Sequence, residues 1–167
     1  MAVSNTDLLA LARQLPIPVP WNRDVFIENL ASQRGRRIQL LPTDTSGFTE
    51  SPCGVWLIRD DDDLILHEAE SSDYHIDQIV CHEIGHMVLG HGRSTQSASN
   101  TDDPESQLCL KMLPDLDPAA VRKVLRRKLF VDDQERDAER FAHILMLASA
   151  EAAAARSAIR SVFFRAR

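Results

Sequence analysis

The sequence predicts an α+β fold: a small, mainly antiparallel three-stranded sheet packed beside a helical HExxH metal site. Three observations predict it. Residues 36–41, 53–59 and 64–67 are short runs rich in β-branched and aliphatic residues, bounded by turn residues. Stretches with apolar residues at helical spacing precede and follow them. One of those helices carries His82, Glu83 and His86 inside an otherwise apolar run.

Ser4 or Asn5 can cap a first helix over residues 4–15, where Leu8, Leu11, Ala12 and Leu15 share a face. Pro16, Pro18 and Pro20 break it, because proline fixes φ and lacks an N–H donor. Asn22 can cap a second helix that ends near Gly35. A strand follows over residues 36–41. In the strand over 53–59, Val55 and Leu57 oppose Trp56 and Ile58, and residues 60–63 form the turn to the return strand at 64–67. Asp73 can cap the next helix, which runs to about Leu89 and stops at Gly90 or Gly92. Residues 93–107 read as a polar loop. Asp117 and Pro118 open a helix whose Arg122, Lys123, Arg126, Arg127 and Lys128 read as a solvated face. A last helix runs from about Asp133 through Ala155. No internal repeat or domain boundary is visible, so one domain is expected: an N-terminal helical part (1–49), a core (50–147) and a C-terminal helical extension (148–167).

The chain has 167 residues, 44% of them hydrophobic and 26% charged, which suits one soluble globular domain. With 25 acidic and 19 basic residues the net charge is −6, so generic nucleic-acid binding is not expected. The charge is uneven: residues 60–90 hold nine acidic residues and no Lys or Arg. Cys53, Cys81 and Cys109 are odd in number and lack paired spacing, which favours free thiols in a reducing compartment. No apolar run is long enough to span a membrane. The first fifteen residues carry Asp7 and Arg13 and do not read as a signal peptide, so the expected location is the cytoplasm.

The informative segment is His82-Glu83-Ile84-Gly85-His86. Two His at i and i+4 lie one turn apart on one helix face and can converge on a metal ion. Glu83 lies about 100° round the helix and can act on a water at that ion as a general base. A zinc ion lowers the pKa of such a water. Two ordinary histidines are the alternative, but polar groups in an apolar helix each need a partner. The third ligand is not a metzincin His, because Leu89 and Gly92 stand where that motif needs Gly and His. His91 follows the expected helix end at Gly90 closely, which suits a supporting role better than direct ligation. Glu135 and Glu139, one turn apart on the last helix, are the better source: one carboxylate binds the metal and the other holds a ligand His. Asp137 is the fallback. Tyr74 and His143 lie too far along their helices to serve as oxyanion donors. Cys81, Cys53 and Cys109 read as small core residues, and His67 and His75 as surface or packing residues.

The run His82 to His86, continued by Met87-Val88-Leu89-Gly90-His91 and later by Glu135-x-x-Ala138-x-x-Phe141-Ala142, resembles the ImmA/IrrE family of bacterial metallopeptidases. The resemblance covers roughly residues 50–147 and is specific at the two motifs. It implies a minimal gluzincin-like core with one Zn2+ ion, ligands His82, His86 and Glu135, and Glu83 as the catalytic residue. It also implies cleavage of a helix-turn-helix repressor, often encoded beside the peptidase. Two departures stand out. Glu139 occupies a position often held by Asn, and Leu145-Met146-Leu147-Ala148 lacks the Pro that usually ends the second motif, which implies a helix that runs on. The expected function is a zinc-dependent endopeptidase with a protein partner, no direct nucleic-acid contact and no membrane. Glu139 and His91 are expected to support the ligands. The substrate is expected to add as a strand along the edge strand after the Asp run, residues 64–67. The rival reading is a zinc-containing binding module, or a toxin–antitoxin component, that sequesters a regulator without proteolysis.

Overall fold

The computed structural model describes residues 3–44, 54–91 and 132–164, in the order α1 (Asn5–Ala12), α2 (Arg23–Arg34), β1 (Arg37–Thr43), β2 (Gly54–Ile58), β3 (Asp62–Glu68), α3 (Asp73–Leu89) and α4 (Asp132–Phe164). The α+β class is as expected. The expected loop at 93–107, the helix opened by Asp117 and Pro118, Cys53 and Cys109 lie outside the described residues.

Local signals set the helix ends. The Ser4 side chain accepts the Asp7 N–H, and Asn22 accepts the Val25 N–H. Gly35 ends α2 in the left-handed region at φ 63°, which a Cβ would disfavour. Ser72, not Asp73, caps α3 by accepting the His75 N–H. The missing Pro has its expected consequence: α4 spans 33 residues, about 50 Å at 1.5 Å per residue.

The sheet is mixed, which corrects the mainly antiparallel expectation. Its order is β1-β3-β2: β1 pairs with β3 in parallel, and β2 pairs with β3 antiparallel. The reason lies in Leu64-Ile65-Leu66, which is buried on both faces. An unbroken apolar run of this kind suits a central strand, and only a central β3 buries both of its faces and both of its edges. β3, the strand expected to receive a substrate along its edge, is therefore paired on both sides, which corrects that expectation.

One sheet face carries Ile38, Trp56 and Ile65 into the main core. There they meet Leu8 and Ala12 of α1, Phe26 and Leu30 of α2, Val80 and Ile84 of α3, and Phe141 and Leu145 of α4. Val55, Leu57, Leu64 and Leu66 form a second cluster on the opposite face, as the alternation predicts.

The acidic run is only partly a turn. Asp62 and Asp63 begin β3 and are buried. The Asp63 carboxylate receives Arg34 Nη2 at 3.2 Å and Trp56 Nε1 at 3.2 Å, and Arg36 Nε lies 3.2 Å from it. Asp62 is held by Arg59 and by Gln39 Nε2 at 2.8 Å. A buried carboxylate persists only when paired this fully. Farther along the chain, Asp77 receives Trp21 Nε1 at 2.7 Å and Arg23 Nη1 at 2.7 Å, which docks the proline-rich segment on α3.

Gly85 sets the spacing of α3 and α4. A Cβ there would lie 3.0 Å from the Ala138 carbonyl oxygen and 3.2 Å from Ala138 Cα. Only glycine lets the two backbones approach this closely, and Ala138 lies one turn after Glu135. Replacing Gly85 by Ala gains about 1 kcal/mol of helix propensity. The overpacking it causes costs roughly 1–3 kcal/mol. Because the opposing atoms are backbone, the cost is expected to win. Gly85→Ala should melt at a lower temperature than the wild type in chelator, and should bind zinc more weakly. An unchanged melting curve and zinc affinity would show that the close approach is not required.

Candidate metal centre

Two helices bring three donor side chains to one point. His82 and His86 lie one turn apart on α3, with their Nε2 atoms 3.0 Å apart. Glu135 reaches over from α4. Its Oε2 lies 3.3 Å from His82 Nε2, and its Oε1 lies 3.4 Å from His86 Nε2. Ligands about 2.0–2.1 Å from a tetrahedral zinc stand about 3.3 Å from one another, so these separations suit one such ion. Two imidazoles and one carboxylate are also a zinc-type donor set that leaves one position open. These three residues could therefore hold a metal ion.

The electrostatics agree. Burial works against the charged form of His82, but the Glu135 carboxylate at hydrogen-bond distance, with Glu83 and Glu139 nearby, outweighs it and raises the pKa. Burial would raise the pKa of Glu135. Hydrogen bonding with His82 and His86 overcomes that and holds the carboxyl far below the usual range. Both shifts express one fact: the space between the three donors favours positive charge.

Glu83 lies beside the cluster, as its position round the helix predicts, and is buried. Burial pushes its pKa above the usual carboxylate range, against the lowering effect of His82 and His86 and of a hydrogen bond from the Trp56 backbone. The close approach of β2 makes this contact possible. A Cβ on Gly54 would lie 2.4 Å from Ile79 Cγ2 and 3.2 Å from Glu83 Oε1, so only glycine fits there.

His91 supports His86. Gly90 turns the chain through φ 73°, and His91 Nδ1 comes to 3.0 Å from His86 Nδ1. Burial, and next the neighbouring His86, lower the His91 pKa to about 4. Ligation through His86 Nε2 requires the His86 ring proton on Nδ1, and His91 Nδ1 is placed to accept it.

Glu139 occupies a different place from the one expected of a ligand's support. It is exposed, has no hydrogen bond to either ligand ring, and lines a groove of about 350 Å³ beside His82 and Glu135. Asp137, the fallback ligand, is spent elsewhere: it accepts the Val3 N–H at 2.8 Å and Arg140 Nη1 at 3.1 Å, pinning the start of the chain to α4. Tyr74 is exposed. Cys81 is fully buried in the core, and burial pushes its thiol pKa far up.

Sequence reasoning missed Gly54, Gly85 and the groove. A glycine in the middle of a helix, where it costs about 1 kcal/mol, was the readable signal for Gly85. Gly54 carried no comparable signal, because its role depends on which strand packs against α3. Among the described residues no helix is long and apolar enough to cross a membrane. No family model, curated protein or solved structure matches the chain.

Proposed function

We propose that this protein is a zinc-dependent endopeptidase whose substrate is a helix-turn-helix transcriptional repressor. The observation that carries the peptidase reading is the convergence of His82, His86 and Glu135 with Glu83 buried beside them. The repressor rests on the resemblance of the two motifs to the ImmA/IrrE family. His82, His86 and Glu135 would hold the ion, and zinc bound there supplies Lewis acidity and a water of lowered pKa.

The chain's own groups do the rest. Glu83 takes a proton from the attacking water at its carboxylate and gives it to the leaving amine. Its raised pKa suits that role, because a base nearer neutrality both accepts and returns a proton. The Trp56 backbone fixes the carboxylate in place. His91 holds His86 in the ligating tautomer.

The test uses the zinc-loaded chain and a helix-turn-helix repressor taken from a gene neighbouring its own. Two repressor fragments, absent when chelator is added, are the expected result. Release of an intact repressor from its operator would favour the sequestering module instead.

A further inference from the structure

The groove beside the metal cluster has a direction. Its α3 wall is His75, Gln78, Ile79 and His82, and its α4 wall includes Glu135, Glu139 and His143. His82 and Glu135 meet at one end, so the walls run antiparallel and the groove leads away from the cluster towards His75 and His143. Seven residues of α3 make it about 10 Å long, or about three residues of extended peptide. The axial distance that removes His143 from the reacting atoms is therefore close to the length of the groove.

The lining is specific. Ile79 and Ala142 give it an apolar floor, and no Lys or Arg is among its described walls. Glu139 stands about 6 Å along α4 from Glu135. It has no ion-pair or hydrogen-bonding partner for its carboxylate among the described residues. Two carboxylates at i and i+4 repel; His82 and His86 offset Glu135, but they do not hydrogen-bond Glu139. His143 Nδ1 lies 3.1 Å from the Glu139 carbonyl oxygen. That contact makes Nδ1 the donor and leaves Nε2 as an acceptor. An apolar floor ending at a carboxylate and a ring acceptor matches a long aliphatic stem with a cationic tip.

We infer that this groove is a substrate subsite for a Lys or Arg side chain within two residues of the cleaved bond, with Glu139 as its specificity-determining residue. The inference rests on the peptidase reading for the cleaved bond, but not for the binding of a basic side chain.

The test exposes a mixed peptide library to the zinc-loaded full chain and identifies the cut sites by mass spectrometry. Lys or Arg should be enriched about tenfold at one position within two residues of the cut. Glu139→Gln should lose that enrichment, and Glu139→Lys should shift it to Asp and Glu. A merely structural role for Glu139 would not reverse the charge preference. Wild-type cleavage blind to charge, or an unchanged preference in Glu139→Lys, overturns the subsite and leaves the peptidase reading intact. If neither the library nor the repressor is cut, the peptidase reading falls; whenever the library is not cut, titration with blocked arginine (acetylated, with an amide C-terminus) decides the subsite. Shifts of the His75 and His143 ring resonances that vanish in Glu139→Gln uphold it, and their absence in the wild type overturns it.

Discussion

Glu83→Gln is expected to keep zinc and fold while lowering kcat for repressor cleavage by about 10²- to 10⁴-fold, the usual worth of a general base. Glu83 is 6% exposed, so a residue of different shape would disturb the core around it. Gln has the same shape, and its amide oxygen still accepts the hydrogen bond from the Trp56 backbone. It cannot take a proton from water. Burial already penalises the charged carboxylate, so the neutral amide should melt no lower than the wild type. Loss of turnover at unchanged zinc content and melting temperature is therefore the expected signature. A mutant that retains full biological activity would mean that the protein acts without proteolysis.

Glu135→Ala is expected to remove the metal rather than the fold. Loss of an outer partner of a ligand costs 10- to 100-fold in metal affinity. Loss of one of three protein ligands should cost more. α4 should stay in place, because Phe141, Ala142 and Leu145 anchor it in the core and are untouched. The measurement is the gain in melting temperature on adding zinc. At free zinc of about 100 times Kd the wild type should gain about 2.7 kcal/mol, or roughly 5–10 °C for a chain of this length. Glu135→Ala should show almost none of that gain while melting near the wild type in chelator. An equal gain in both would remove Glu135 from the ligand set. Gly85→Ala differs in kind, since there the melting temperature in chelator should fall as well.

The sequence made the helical half of the site legible because helical spacing is short-range. His82 and His86 share a face by arithmetic alone, and the caps at Ser4, Asn22, Gly35 and Gly90 lie within a turn of what they cap. Glu135 was reachable through its carboxylate neighbour and the resemblance, although nothing in its spacing from His86 fixes a contact across helices. The sheet was harder. Strand existence followed from alternation, but partner choice is a long-range property, and the parallel pairing of β1 with β3 has no local signal beyond the double burial of Leu64-Ile65-Leu66. Asp62 and Asp63 looked like turn residues because their partners Arg34, Arg36 and Gln39 come from elements far back in the chain. His143 was set aside by distance along its helix, and His75 as a surface or packing residue. The groove places them on facing walls, which only packing could reveal.

The most direct test titrates zinc into metal-free wild-type chain while cleavage of the repressor is followed. Cleavage should be absent without zinc, rise in proportion to added zinc, and level off at one ion per chain. Cleavage indifferent to zinc, or no cleavage at saturating zinc, would contradict the account.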